Sequence, residues 1–173
     1  TWEDSHTSNN DFTQATAAKK PTYQTAEING LPIVRFDGTD DLLTAANFLS
    51  SPEGTIFAIV RFTAALVDLQ PTIASADEAV GDNYWILRSY RTAATPNMSI
   101  VQRNADTVDE VRGGTVLVAG SVYLQMARSS GTAYQLRLDG ADEVLTVVSG
   151  ADNGDWLGDA TLRDSFSLGG LKL

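Results

Sequence analysis

Apolar and polar residues alternate with a period of two along most of the chain. The alternation is clearest at residues 33–36, 84–90, 98–102, 122–126 and 134–138. A period of two places successive side chains on opposite faces of a strand, so each stretch predicts a strand with one covered face. The best helical candidate is residues 41–49, where we predict one short surface helix. Because strands account for nearly all of the predicted regular structure, the chain is expected to be all-β.

Residue pairs that tolerate positive φ separate these stretches and predict hairpin corners. They are Asn29-Gly30, Asp37-Gly38, Gly113-Gly114, Ser130-Gly131 and Asp139-Gly140. Residues 55–60 and, in large part, 144–148 are apolar on both parities, which predicts central strands covered on both sides. Many short strands joined by such turns indicate a β-sandwich.

Length and charge limit the classes of partner. The 173 residues suit one domain, and no apolar run approaches the roughly 18 residues of a membrane span. The net charge of −10 opposes binding to nucleic acid, and there is no cysteine to form a disulfide or a thiolate metal site. The chain opens at Thr1 without a charged-then-apolar leader. We expect a segment of a longer polypeptide, the alternative being a removed signal.

The first third of the chain resembles a known family. The resemblance spans roughly residues 2–62 and rests on Trp2-Glu3-Asp4-Ser5, residues 9–14, Pro21-Thr22-Tyr23, residues 28–38, Asp41-Leu42-Leu43 and residues 55–61. In this order they resemble the laminin G-like branch of the concanavalin A-like lectin/glucanase superfamily. The resemblance implies one domain, residues 1–173, with an antiparallel two-sheet jelly-roll β-sandwich. It also implies a recognition or adhesion module in a secreted, cell-surface or phage virion protein.

Members of this family have a further strand before the Trp-x-Asp segment and another after the Gly-Gly near position 170. The resemblance therefore implies that the chain lacks one or both terminal strands, with Leu171 and Leu173 beginning an unfinished strand. Unpaired strand edges attract other chains. We expect the edge to be completed by a flanking domain, by a neighbouring subunit, or by unusual use of residues 107–119.

Catalysis is not expected. Retaining glycosidases need two carboxylates about 5–5.5 Å apart, and the superfamily's enzymes place Glu, Asp and Glu at alternate positions of one strand. No glutamate begins such a series, and the nearest approach, residues 106–110, has the wrong spacing. His6 is the only histidine, and it has no Ser or Cys partner that would indicate a triad or a zinc site.

Two acidic segments could be calcium sites or ordinary corners. Asp37, Asp40 and Asp41 form the first, and residues 152–159 form the second. The corner interpretation is favoured, because Asp37 can cap its own turn and calcium needs about six to eight oxygen ligands. No other cofactor is expected.

A face with aromatic and polar side chains is the candidate ligand site. If Trp85 and Leu87 point to the core, Tyr84, Arg88 and Tyr90 share the opposite face. The same reasoning turns Tyr123 and Gln125 outwards. Aromatic rings and hydrogen-bonding side chains suit a glycan, although ordinary cross-strand pairs explain the pattern equally well.

Two functions from different classes remain. The first is a non-catalytic module that binds a glycan or a surface receptor, on a phage virion or in an extracellular multidomain protein. The second is a structural or assembly domain, such as a virion decoration or spacer, that works within an oligomer.

Overall fold

A computed structural model describes residues 1–62, 70–92 and 95–172. Nearly all of its regular structure is β-strand. The exception in this described part is one three-residue 3₁₀ turn, Ala17–Lys19. No helix in the described residues has the length and apolar character needed to cross a membrane.

The strands are short and follow one another through the chain. They are β1 Thr22–Ile28, β2 Leu31–Arg35, β3 Leu43–Ala46, β4 Gly54–Arg61, β5 Gln70–Ala76, β6 Asn83–Thr92, β7 Thr95–Asn104, β8 Thr107–Val116, β9 Val122–Ser129, β10 Tyr134–Leu138, β11 Ala141–Asp142, β12 Thr146–Ser149 and β13 Ser165–Leu168.

Two antiparallel sheets form the sandwich. The larger sheet has seven strands in the order β12-β8-β7-β6-β5-β13-β3, and the smaller has four in the order β11-β10-β9-β4. Strands β1 and β2 form a separate hairpin. This architecture confirms the β-sandwich that the alternation predicted and the antiparallel two-sheet jelly roll that the resemblance implied.

The main core lies between the two sheets. On β6, Trp85 and Leu87 belong to this core, and the Trp85 ring packs against Trp156 with a centroid distance of 4.7 Å. The opposite, outer face of β6 carries Ile86, which forms a second small apolar cluster with neighbours on β5 and β7. The period of two therefore assigns each face of β6 correctly.

Turn chemistry predicted three hairpin corners correctly, at Asn29-Gly30, Ser130-Gly131 and Asp139-Gly140. Asp37-Gly38 was wrong as a hairpin corner, because it joins β2 to β3 and these two strands do not pair. Both residues of Asn29-Gly30 and of Asp139-Gly140 have positive φ, as a tight two-residue hairpin requires. Gly113-Gly114 was wrong as a corner, because both residues lie within β8. Gly113 instead faces the side chain of Glu143 so closely that a Cβ atom would come 2.6 Å from its Oε2.

Three other local predictions were also wrong. Residues 55–60 lie in β4 and residues 146–148 in β12, and both strands stand at the edge of their sheets rather than at the centre. In β4, Phe57 and Ile59 on one parity are 67% and 69% accessible, and in β12 both Val147 and Val148 are exposed. The short helix expected at 41–49 is replaced by β3, which pairs with β13.

Two detailed expectations about the sheet edges, the use of residues 107–119 to complete an edge and a strand beginning at Leu171, were wrong. Residues 107–116 form β8 inside the larger sheet, so they do not complete an open edge. Leu171 begins no strand and packs on the second apolar cluster. Leu173 lies outside the described residues.

Candidate functional site on the outer face of the larger sheet

Strand β6 brings three of the five candidate residues to one face. Tyr84, Arg88 and Tyr90 alternate with Trp85 and Leu87, which point into the main core. The three therefore lie on the outer face of the larger sheet. Tyr84 and Tyr90 are partly exposed there, whereas Arg88 is only 8% accessible.

The Arg88 guanidinium has three partners on this face. Its Nε donates to Ser99 Oγ at 3.1 Å, and its Nη2 donates to Glu110 Oε1 at 2.8 Å. Its Cζ lies 4.5 Å from the centroid of the Tyr90 ring. Glu110 is 6% accessible, so a nearly buried ion pair stands beside a partly exposed tyrosine ring. We call Arg88, Tyr90, Ser99 and Glu110 the Arg88 cluster.

Sequence reasoning missed Ser99 and Glu110 as members of this cluster. The register brings them there, because Arg88 lies opposite Ser99 on β7 and Glu110 lies opposite Val101 on the same outer face. The alternation of β7 and β8 shows which residues share a face with Ser99 and with Glu110. It places them beside Arg88 only once the strand order is known.

Tyr123 and Gln125 do not lie on this face, which corrects the predicted site. They belong to β9 in the smaller sheet and point into the space between the sheets, where they are 8% and 0% accessible. The Tyr123 hydroxyl accepts the Val118 N–H at 2.7 Å, and Gln125 Oε1 accepts the Thr72 hydroxyl at 3.1 Å.

The reason for this error is visible along β9. Both parities of the strand are mainly apolar or uncharged, so alternation alone does not say which side faces inwards. The structure turns Val122 and Leu124 outwards, and each is 41% accessible. At the inner positions the Tyr123 hydroxyl and the Gln125 side-chain oxygen each find a hydrogen-bond partner, whereas Gln125 Nε2 is buried with none among the described residues.

The C-terminal segment covers one end of the outer face. Leu171 packs on the cluster of Ala74, Ile86 and Val101, next to Tyr84. Lys172 Nζ pairs with Glu78 Oε2 at 2.7 Å. Tyr84 therefore contacts the part of the face that the chain itself covers.

The acids near residue 37 form a corner. Asp37 Oδ1 accepts the backbone N–H groups of Thr39, Asp40 and Asp41 at 2.9, 3.2 and 3.1 Å. These bonds, that of Thr39 above all, hold the pKa of Asp37 below its ordinary value. The three aspartates each offer an oxygen within 4.8 Å of the others, so they could contribute to a calcium site. Three oxygens are well short of the six to eight that calcium takes.

The second acidic segment closes a loop against the sandwich. Asp152 Oδ1 accepts the Tyr134 N–H at 2.7 Å, and Asp159 Oδ2 accepts the Trp156 N–H at 2.6 Å. The Asp155 carboxylate accepts the Asn153 amide at 2.8 Å, and burial raises the pKa of Asp155. Each of these three acids therefore has a structural partner, either within the loop or on β10.

The sole histidine is exposed and local in its contacts. Its Nδ1 lies 2.7 Å from Ser8 Oγ, two residues away. No carboxylate is bonded to the ring among the contacts of the described residues, so the arrangement differs from a catalytic triad.

Two comparisons with known proteins found no match. No protein-family model matches the chain. No curated protein matches it either.

Solved structures do resemble the chain. One is the carbohydrate-binding module CBM40 of the Ruminococcus gnavus IT-sialidase, bound to α2,3-sialyllactose, with a TM-score of 0.59 and 16% identity over 70% of this chain. Another is tailspike protein 2 of an Escherichia coli O157:H7 bacteriophage, with a TM-score of 0.62 and 14% identity over 91% of this chain. The chain spans 65% of the first structure and 22% of the second.

At these identities the likeness shows the fold. The chain has an antiparallel β-sandwich like that of this carbohydrate-binding module. The laminin G-like branch stays a resemblance of the sequence.

Proposed function

We propose that the chain is a non-catalytic glycan-binding module of an extracellular or virion-surface protein. In this proposal the ligand lies on the outer face of β6–β8, at the Arg88 cluster. The observation that carries the proposal is the Arg88 guanidinium, held by Ser99 and Glu110 beside the Tyr90 ring. Similarity to a carbohydrate-binding module and to a phage tailspike supports it.

The chemistry of this cluster suits a sugar. A pyranose presents an apolar C–H face that can stack on Tyr90, and hydroxyl groups that can bond to Glu110 or to the guanidinium. Because partners already fix Arg88 and Glu110, a ligand would meet donors and acceptors that need little further ordering. Tyr84 extends the aromatic surface towards the second apolar cluster.

A glycan array with matched variants tests this proposal. The wild-type chain should bind a defined subset of glycans, and Tyr90→Ala should remove most of that signal with little change in the unfolding midpoint. Tyr23→Ala is the control, since Tyr23 is 69% accessible on β1, away from the larger sheet. Absence of any array signal, or equal loss of binding in both variants, would count against the site. A large drop in the Tyr90→Ala midpoint with unchanged affinity would assign Tyr90 to packing instead.

The absence of catalysis is part of the proposal. Glu110 is paired with Arg88, and the acids of the 152–159 loop bond to the backbone N–H groups and the amide that hold the loop closed. We therefore expect no new reducing ends when the chain is incubated with a panel of polysaccharides. Cleavage abolished by a single Asp or Glu substitution would contradict this expectation.

A second candidate function, assembly, is favoured by one observation. Strand β4 is an edge strand of the smaller sheet, and no described strand pairs with its other side. Its outer positions Phe57 and Ile59 are both highly exposed. An open edge with apolar side chains favours addition of a strand from a flanking domain or a neighbouring subunit.

Sedimentation of the isolated chain tests this second function. If β4 is an assembly edge, the chain should self-associate, and Ile59→Lys should return it to a monomer. The variant places a charge at a position that is 69% accessible, so folding should be retained. A wild-type chain that stays monomeric would contradict self-association through β4.

A further inference from the structure

A cleft lies beside the N-terminal segment and contains no residue of the Arg88 cluster. It has a volume of about 330 Å³, an aromatic and aliphatic wall formed by Trp2, Phe12, Phe48 and Leu168, and a polar rim formed by Glu3, Asp4, Ser5 and Asn10. It shares no residue with the proposed glycan face.

The wall of the cleft is fixed by backbone pairing and ring contacts. Trp2 and Phe12 exchange backbone hydrogen bonds of 2.8 and 3.0 Å, which hold the N-terminal segment in place. The Phe12 ring meets Phe48 edge-on at 6.3 Å, and Phe48 packs on the buried Phe166 at 4.7 Å. Trp2 remains 47% accessible and Phe48 40%, so both rings can meet a ligand.

The charge around the cleft has one sign. Glu3 and Asp4 contribute two carboxylates, and the residues that line the cleft include no Lys, Arg or His. The Asp4 carboxylate accepts the backbone N–H of His6 at 2.8 Å and that of Asn10 at 3.3 Å. These bonds, led by that of His6, lower the pKa of Asp4, so it stays ionised at neutral pH. The cleft therefore favours a cationic ligand over an anionic one.

We propose that this cleft binds an amino sugar with a free, protonated amine. The C–H face of the pyranose would stack on the Trp2 indole, and the ammonium group would lie near Glu3 and Asp4. Ser5 and Asn10 also line the cleft, and their side chains would bond to ring hydroxyls. N-acetylation removes the ammonium charge and should weaken binding.

Tryptophan fluorescence provides a selective first measurement. Trp85 and Trp156 are 0% and 3% accessible, so a change in emission on adding a ligand reports mainly on Trp2. The probes are a β-1,4-linked glucosamine trisaccharide with free amines and its fully N-acetylated counterpart. The free-amine form should give a saturable change at a pH below the pKa of its amines. The N-acetylated form should bind about two- to fivefold more weakly for each exposed ion pair lost.

Variants measured by calorimetry assign the contact. Trp2→Ala should abolish binding of the free-amine trisaccharide, and Glu3→Gln should weaken it by about two- to fivefold. Tyr23→Ala, at an exposed aromatic residue on β1, is the matched control and should leave affinity unchanged. Glu3 is exposed, so its variant keeps the test decisive even if Trp2→Ala fails to fold.

Three outcomes would overturn the proposal. They are no binding of the free-amine trisaccharide, equal affinity for the acetylated form, and variants that keep the wild-type affinity, whether a folded Trp2→Ala or Glu3→Gln. None of them bears on the Arg88 cluster, because the glycan array tests that site with Tyr90→Ala and not with Trp2→Ala or Glu3→Gln.

Discussion

Arg88 is a charged residue that is nearly buried on the outer face of the larger sheet. It is 8% accessible, and it is stabilised by a carboxylate, a hydroxyl and an aromatic ring. A nearly buried charge without its counter-ion is costly, because desolvation is no longer offset by the ion pair. The side chains that would present a ligand site are thus also part of the fold.

Removing one member of the pair should therefore be more costly than removing both. Glu110→Leu leaves the Arg88 charge without a carboxylate and should lower the free energy of unfolding by about 3–5 kcal/mol. The double variant Arg88→Met/Glu110→Leu should recover most of that loss. Urea unfolding of the three proteins measures the difference. A single variant as stable as the wild type would show that the pair is effectively solvated.

Tyr123 gives a second prediction at this scale. Tyr123→Phe removes the acceptor of the Val118 N–H and should lower the free energy of unfolding by about 1 kcal/mol. Glycan binding should be unchanged, because the side chain points into the core. Chemical unfolding and the glycan array check the two parts. Loss of binding without loss of stability would restore Tyr123 to the ligand site.

Among the elements, β6 and β9 explain why alternation predicted one face and missed the other. In β6, Trp85 and Leu87 are large apolar residues that define the inner parity against Arg88. In β9, Val122 and Leu124 are apolar on one parity, while Tyr123 can satisfy its hydroxyl in the interior. Strand alternation therefore identifies the face that points into the main core only when the large apolar side chains fall on one parity.

Among the loops, residues 152–159 contain an acid, Asp155, whose effect on stability depends on pH. Burial raises the pKa of Asp155 above its ordinary value of 3.8, so the native state binds this proton more tightly than the unfolded chain does. The contribution of Asp155 to stability therefore falls as pH rises from the ordinary pKa through the raised folded pKa. An asparagine avoids this penalty and retains an oxygen for the Asn153 amide.

We expect Asp155→Asn to be more stable than the wild type at neutral pH. The difference should shrink to zero as the pH falls below the ordinary carboxyl pKa, where the aspartate is protonated in both states. Unfolding free energies of the two proteins across a pH series measure this convergence. A difference that does not vary with pH, or a less stable variant at neutral pH, would show that Asp155 is well solvated.

For the whole molecule, the sequence was sufficient for the fold class and insufficient for strand order. The Asn29-Gly30 and Asp139-Gly140 corners follow from backbone chemistry local to two residues, so they could be predicted. The Arg88 cluster depends on β6, β7 and β8 being neighbours in register, which is a tertiary fact. The edge positions of β4 and β12 were missed for the same reason, since apolar residues on both parities do not reveal whether a neighbour is present.

A map of amide chemical-shift changes tests the central claim most directly. The isotopically labelled chain is titrated with the glycan that gives the strongest array signal. The account predicts the largest changes at Arg88 and Tyr90 in β6 and across the sheet at Ser99 and Glu110. Changes confined to residues 37–41, to residues 152–159 or to the smaller sheet would contradict it.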